Sequence, residues 1–205
     1  MSKASELQRQ LSGWCLIISP VIGLVAEVVR YEGNFSVYVW SGTLALLSIA
    51  VSVQSILALR HLLSARAPRL AVWGCGLALV LMLSGPAIIG SYLVSWSLLP
   101  DMPAADTALR ASFAKLFFII FLPGLLYTIC RALIGVGLWR TRVVPTLVGL
   151  AMALGWVLIP AGRLPHIPSI VYLGSVLILA GEGWLGWRIL VQPTLWRETD
   201  RGDMT

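Results

Sequence analysis

The chain has 205 residues, of which 58% are hydrophobic and only 12% are charged, and its formal net charge is +6. Soluble globular domains carry about 25% charged residues, so this composition excludes a water-soluble fold and indicates an integral membrane protein. The basic residues stand singly or in small groups at the ends of apolar runs, which is typical of membrane proteins and argues against nucleic acid as a partner.

Apolar runs close to the ~20 residues that a helix needs to cross a bilayer follow one another along the chain. They predict an all-α fold, a polytopic transmembrane bundle of six helices in a single domain, residues 1–205. The predicted helices cover about residues 11–29, 37–59, 70–96, 113–139, 143–160 and 167–190. The tail, residues 191–205, is charged and contains Pro193, so it is predicted to be disordered or interfacial.

Each predicted helix ends for a physical reason, because glycine, proline or clustered charge interrupts the apolar run. Residues 32–34 end the first helix, and a basic segment with Pro68 separates the second from the third. The longest loop begins at Pro100, Arg140 and Arg142 mark a tight turn, and residues 163–168 separate the last two helices.

The distribution of Lys and Arg predicts the orientation, since cytoplasmic loops are enriched in these residues. One side of the predicted bundle carries Lys3, Arg9, Arg60, Arg66, Arg69, Arg140, Arg142, Arg188, Arg197 and Arg201. The other side carries Arg30, Arg110, Lys115 and Arg163. This bias predicts a cytoplasmic (inner) membrane protein with both termini in the cytoplasm.

An interfacial belt is predicted from Trp14, Trp40, Trp73, Trp96, Trp139, Trp187 and Trp196, which lie near helix ends.

Polar residues within the predicted spans need a reason, because an ionisable group at the centre of a bilayer costs about 2.5–3.5 kcal/mol. Arg131 lies nine residues before Arg140, and Glu182 lies six residues before Arg188. Both helices run in the same direction, so the two groups differ in depth by about one turn. Gln54, six residues before Arg60, lies at a similar depth.

We therefore predict one polar cluster of Arg131, Glu182 and Gln54, with Tyr127 and Thr128 as secondary candidates on the stripe of Arg131. Such a cluster serves either as a buried pair that fixes helix packing or as a substrate or ion site. A third alternative is that the side chain of Arg131 snorkels to the interface.

Glu27 is a separate secondary candidate near the outer end of the first helix, three residues before Arg30. We predict a surface ion pair between these two residues. The alternative is a carboxylate that faces an outer cavity.

No metal or cofactor is predicted. The two histidines, His61 and His166, fall in predicted loops on opposite sides of the membrane. The cysteines Cys15, Cys75 and Cys130 are widely spaced within apolar runs, and no C-x-x-C pair occurs.

The segments GVGLWRTRVVPTLVGLAMALGWVLIP (residues 135–160) and YLGSVLILAGEGWLGWRIL (residues 172–190) resemble bacterial six-span membrane proteins of unknown function. The resemblance implies an architecture and no activity.

The function predicted first is that of a non-enzymatic structural or accessory membrane protein. Its partners are the lipid bilayer and other membrane subunits or a second copy of the chain. The alternatives are a small transporter or channel with an inner-leaflet site at Arg131, Glu182 and Gln54, and an intramembrane enzyme that acts on lipid or quinone.

Overall fold

A computed structural model of the chain describes residues 3–31, 35–83 and 122–196. Within these ranges the fold is all-α, as predicted. The helices are α1 (Lys3–Tyr31), α2 (Phe35–Ser64), α3 (Cys75–Met82), α4 (Leu122–Arg140), α5 (Thr146–Arg163) and α6 (Pro168–Val191). A single π-helical segment, Leu70–Gly74, leads into α3.

Five of these helices, all except α3, are long and apolar enough to cross a membrane. The chain is therefore a membrane protein. The apolar helical stretch Leu70–Met82 is the beginning of the predicted third span. The rest of that span, the predicted loop after it and the start of the fourth span fall on residues 84–121, outside the described residues. The end of the predicted tail, residues 197–205, also lies outside them.

Successive helices are neighbours in space, and α6 packs back against α1, which closes the bundle. The helices alternate in direction, so α2, α4 and α6 finish at the end where α1 begins. We call this the basic end, because Arg60, Arg140 and Arg188 lie there. The largest apolar core fills the bundle toward this end. It includes Leu16, Ile56, Leu59, Leu63, Ile134, Leu138, Leu185 and Ile189.

Close helix contacts depend on glycine, since lipid tails provide no hydrophobic drive between helices and packing must supply the attraction. A Cβ atom at Gly155 of α5 would lie 2.7 Å from the carbonyl oxygen of Gly174 in α6. A Cβ atom at Gly186 of α6 would lie 2.5 Å from the carbonyl oxygen of Gly13 in α1. Both helix pairs therefore approach backbone to backbone at positions where no side chain fits.

Serine hydroxyls hold α1 against α2. Ser19 Oγ and Ser52 Oγ are 2.5 Å apart, and Ser48 Oγ donates to the carbonyl oxygen of Ser19 at 2.9 Å. Near the other end of the pair, Ser41 Oγ donates to the carbonyl oxygen of Ala26, also at 2.9 Å. These bonds satisfy polar groups that would otherwise face hydrocarbon.

The predicted tail begins with an ordered segment rather than a disordered one. Residues 193–196 form one helical turn. Trp196 was assigned to the interfacial belt, but it is only 2% exposed and its ring stacks on His61 with a centroid separation of 4.1 Å. His61 itself lies in the last turn of α2 and not in a loop. The ring of Trp196 is large and apolar, and it packs on the last turn of α2.

Candidate functional site

Arg131 of α4 and Glu182 of α6 form an ion pair inside the bundle. Arg131 Nη2 donates a hydrogen bond to Glu182 Oε1. The two residues are only 2% and 1% exposed, respectively. Since the pair is shielded from solvent, attraction between the charges is strong, but both have lost the hydration that free charges keep. The pair links two helices that both pack on α5.

Trp156 of α5 completes this contact. Its indole Nε1 donates to Glu182 Oε1 at 3.0 Å, and Arg131 Cζ lies 4.8 Å from the centroid of its ring. The ring therefore meets the anion through its N–H group and the cation through its π face. Tyr127 packs edge-on against Trp156 with a centroid separation of 5.4 Å. We call Arg131, Glu182, Trp156 and Tyr127 the ion-pair cluster.

The guanidinium of Arg131 keeps unused hydrogen-bonding capacity. Its Nη1 is buried and has no hydrogen-bond partner among the residues that the structure describes. A buried donor without an acceptor costs about 1–3 kcal/mol, and more when the group is charged. This nitrogen is therefore the atom of the ion-pair cluster at which an additional acceptor would bind.

Gln54 does not join the ion-pair cluster, although its depth suggested that it would. Its side-chain Nε2 donates to Ser12 Oγ at 3.0 Å, which places it in the contact between α2 and α1. The hydroxyl of Thr128 donates to the carbonyl oxygen of Leu125 in its own helix at 2.7 Å, so this hydrogen bond is not with the ion-pair cluster. Of the predicted residues, the structure brings together Arg131, Glu182 and Tyr127.

Glu27 pairs with Arg163 at the end of α5, and the expected pair with Arg30 was wrong. Arg163 Nη2 donates to Glu27 Oε1. Glu27 is 6% exposed, so its carboxylate turns into the bundle and away from the neighbouring turn of its own helix. The second oxygen, Oε2, is buried without a hydrogen-bond partner in the described part of the chain. This contact ties α1 to α5 at the end opposite the basic end.

Arg9 has a structural role that its position in the sequence did not reveal. Its Nη1 donates to the carbonyl oxygens of Ile189 and, at 2.9 Å, of Leu190, and its Nη2 lies 2.5 Å from Glu6 Oε1. The last carbonyl groups of a helix lack partners within the helix and attract cations. Arg9 therefore caps the C-terminal turn of α6 from α1.

The chemistry of these contacts is that of binding and packing. The described residues contain no group of three or more His, Cys, Asp or Glu side chains that could hold a metal ion. Cys75 and Cys130 are buried free thiols, and Cys15 is partly buried. The carboxylate of Glu182 can bind a cation or a proton only if its contact with Arg131 opens, whereas Arg131 Nη1 can bind an anion or water beside the intact pair.

The contribution of Trp156 can be measured directly. Replacing it with phenylalanine keeps a ring under Arg131 but removes the N–H donor to Glu182. We expect the free energy of unfolding to fall by about 1.5–3 kcal/mol, as for other hydrogen bonds to charged groups. Reversible unfolding in mixed detergent micelles measures this change. Trp187→Phe is the control, since Trp187 is exposed on α6 and should change stability by under about 0.5 kcal/mol. Equal effects of the two variants would contradict the role of the N–H group.

Comparison with protein-family models, with curated proteins and with solved structures finds no match to this chain.

Proposed function

We propose that the chain is a non-enzymatic accessory protein of the cytoplasmic (inner) membrane, which packs against another subunit or a second copy of itself. The observation that carries this proposal is that Arg131 and Glu182 bond to each other and to Trp156 while almost fully buried. Charged groups that pair with each other inside the bundle fix helix packing, and their hydrogen-bonding atoms are largely occupied by that pairing. The ion-pair cluster then acts as a structural link between α4, α5 and α6.

The proposal places the basic end, with both termini, in the cytoplasm. Support comes from the excess of Lys and Arg on that side of the predicted bundle. Contacts such as the bond from Arg66 Nη1 to the carbonyl oxygen of Thr141, at 3.3 Å, join segments on this same side. Reporter fusions at the two termini should both report a cytoplasmic location, and opposite locations would contradict the six-span topology.

A regular apolar stripe on α1 is the surface that we assign to the partner. Exposed side chains recur along this helix at alternating spacings of three and four residues, the spacing by which two helices pack along a seam. The stripe consists of Leu7, Leu11, Trp14, Ile18, Val21, Val25 and Val28. Lipid can cover these side chains, but the narrow, unbroken seam also suits a neighbouring helix.

Native mass spectrometry of the protein released from mild detergent tests the accessory role. We expect a second membrane polypeptide, or a second copy of the chain, to remain bound in fixed stoichiometry. Ile18→Trp combined with Val25→Trp should weaken the affinity for the partner about tenfold, because overpacking a contact costs about 1–3 kcal/mol and about 1.4 kcal/mol corresponds to a factor of ten. The matched control is Leu154→Trp with Val157→Trp on the exposed face of α5. Wild-type protein released from its native membrane with neither another polypeptide nor a second copy bound would contradict the proposal.

Arg131 Nη1 favours a second candidate, a small transporter or channel. Its lack of a partner among the described residues leaves a place for an anion or water next to the ion pair. Transport requires a water-filled path to this point, whereas a structural cluster stays dry.

Thiol accessibility distinguishes the two candidates. Tyr127→Cys, introduced into a chain without its three native cysteines, places a reporter thiol in the ion-pair cluster. If the cluster is structural, a membrane-impermeant methanethiosulfonate reagent should label it more than a hundredfold more slowly than Ala65→Cys, which lies at an exposed position at the basic end. Labelling within tenfold of that control would favour transport and contradict a dry cluster.

A further inference from the structure

A basic pocket lies between the ends of α4, α5 and α6, and its lining shares no residue with the ion-pair cluster. Its volume is about 700 Å³, within the range of about 300–1,000 Å³ that is usual for ligand sites. Its charged lining is provided by Arg140, Arg142 and Arg188. We call this the basic-end pocket.

Arg188 has hydrogen-bonding capacity to offer inside the basic-end pocket. Its guanidinium lies 5.2 Å from the ring centroid of Trp184, which orients it over the aromatic face. Its Nε is buried and has no hydrogen-bond partner among the described residues. An anionic group beside this guanidinium would supply an acceptor in a strong, charge-assisted hydrogen bond.

Arg142 occupies a backbone conformation that arginine disfavours. Its φ is 58°, in the left-handed region where a helix usually ends in glycine. The bonds of this helix end are those of a Schellman motif, with the amide of Arg142 on the carbonyl oxygen of Trp139 at 2.9 Å and the amide of Val143 on that of Leu138 at 3.0 Å. An arginine that tolerates this strain at the mouth of a cavity points to a function for its side chain.

The start of α5 adds a further anion-attracting element to the basic-end pocket. Pro145 is the N-cap and provides no side-chain cap. Its carbonyl oxygen accepts from the amides of Val148 and Gly149, so the amides of Thr146 and Leu147 are those without a cap. The N-terminus of a helix carries partial positive charge and favours phosphate. The arginines and this helix end therefore both contribute positive charge at the basic-end pocket.

We propose that the basic-end pocket binds the headgroup of an anionic phospholipid. The three arginines would contact the phosphate, and the apolar part of the lining, with Trp139, Trp184 and Leu195, would contact the glycerol and the first acyl carbons. The pocket lies where membrane-spanning helices end, which is the level of lipid headgroups. Basic pockets between such helices are known sites for anionic lipids. A soluble phosphate also carries negative charge, but it has no apolar part that could contact the apolar wall of the pocket.

Native mass spectrometry with added lipid tests this proposal on the full-length chain. We expect phosphatidylglycerol to bind at least tenfold more tightly than phosphatidylcholine with identical acyl chains. Since each arginine near a membrane surface contributes about fivefold in affinity for anionic lipid, Arg142→Gly with Arg188→Gln should weaken phosphatidylglycerol binding by about 25-fold. Binding of phosphatidylcholine, in which the choline ammonium offsets the charge of the phosphate, should weaken much less. Unchanged phosphatidylglycerol binding by the double variant would overturn the proposal.

Two controls separate this result from its alternatives. Arg69→Gln removes one exposed arginine from the same end, outside the basic-end pocket, and should change binding by less than twofold. Arg142→Gly alone should weaken lipid binding about fivefold while leaving the unfolding midpoint unchanged or higher, because glycine suits its backbone. If inorganic phosphate or glycerol phosphate competes at the same concentration as the lipid, the ligand is soluble and the lipid assignment is overturned.

Discussion

Replacing Glu182 with alanine is expected to lower the free energy of unfolding by about 3–5 kcal/mol. Arg131 is only 2% exposed, and in this variant its guanidinium loses its counter-ion. It also removes the acceptor of the Trp156 indole N–H group. Both losses have the same sign, because each leaves a buried donor unsatisfied. Unfolding by titration with a denaturing detergent gives the free energy directly.

Glu6→Ala is the matched control for Glu182→Ala, since it too removes the carboxylate partner of an arginine. Arg9 keeps its bond to the carbonyl oxygen of Leu190 when Glu6 is lost, and the Glu6 side chain is 40% exposed. We expect a loss of under about 1 kcal/mol, as for ion pairs with access to solvent. If Glu182→Ala were no more harmful than Glu6→Ala, the buried pair would not be holding the helices.

The second large effect is expected at Gly174 of α6. A Cβ atom there would lie 2.9 Å from the carbonyl oxygen of Gly155 and 3.2 Å from the backbone nitrogen of Ile159. These are backbone atoms of α5 and cannot move alone, so Gly174→Ala forces the two helices apart. We expect a loss of about 1–3 kcal/mol, the usual cost of overpacking, measured by the same detergent titration.

Gly183→Ala, on the same helix, is the control for Gly174→Ala. Among the described residues, a Cβ atom at Gly183 meets only the end of the Leu179 side chain, at 3.6 Å. Alanine has the higher helix propensity, so this variant should be neutral or more stable by up to about 1 kcal/mol. The same sign at both positions would show that the contact between α5 and α6 is looser than the structure gives.

The depth of polar residues could be predicted from sequence, and their direction around the helix could not. Counting back from Arg140 and Arg188 places Arg131 and Glu182 within about one turn of each other in depth, and the structure brings them into contact. Gln54 has a similar depth, but it faces α1 and bonds to Ser12. An apolar helix has little amphipathic pattern, so the sequence carries little information about which face of α2 points to which neighbour.

Trp156 was missed, although the sequence held a usable signal. Most tryptophans lie near predicted helix ends, where the interfacial belt explains them. Trp156 and Trp184 lie farther inside their helices, and both contact an arginine: Arg131 and Arg188, respectively. A tryptophan away from the interface needs a partner for its N–H group, and this requirement would have indicated the ion-pair cluster.

The partner of Glu27 shows the limit of reasoning from local spacing. Arg30 lies one helical turn away, and residues three apart on a helix commonly interact. The structure instead places the carboxylate against Arg163, which is 136 positions away in the chain. Contacts between distant segments depend on the packing order of the helices, and spacing within one helix cannot supply that order.

A double-mutant cycle between Arg131 and Glu182 tests most directly whether the buried pair is a structural link. Arg131→Met and Glu182→Met are each expected to cost about 3–5 kcal/mol of unfolding free energy. The double variant should cost less than either one, because two apolar side chains leave no unpaired charge. Costs that simply add would mean that the two residues act independently, and would contradict the structural role of the ion-pair cluster.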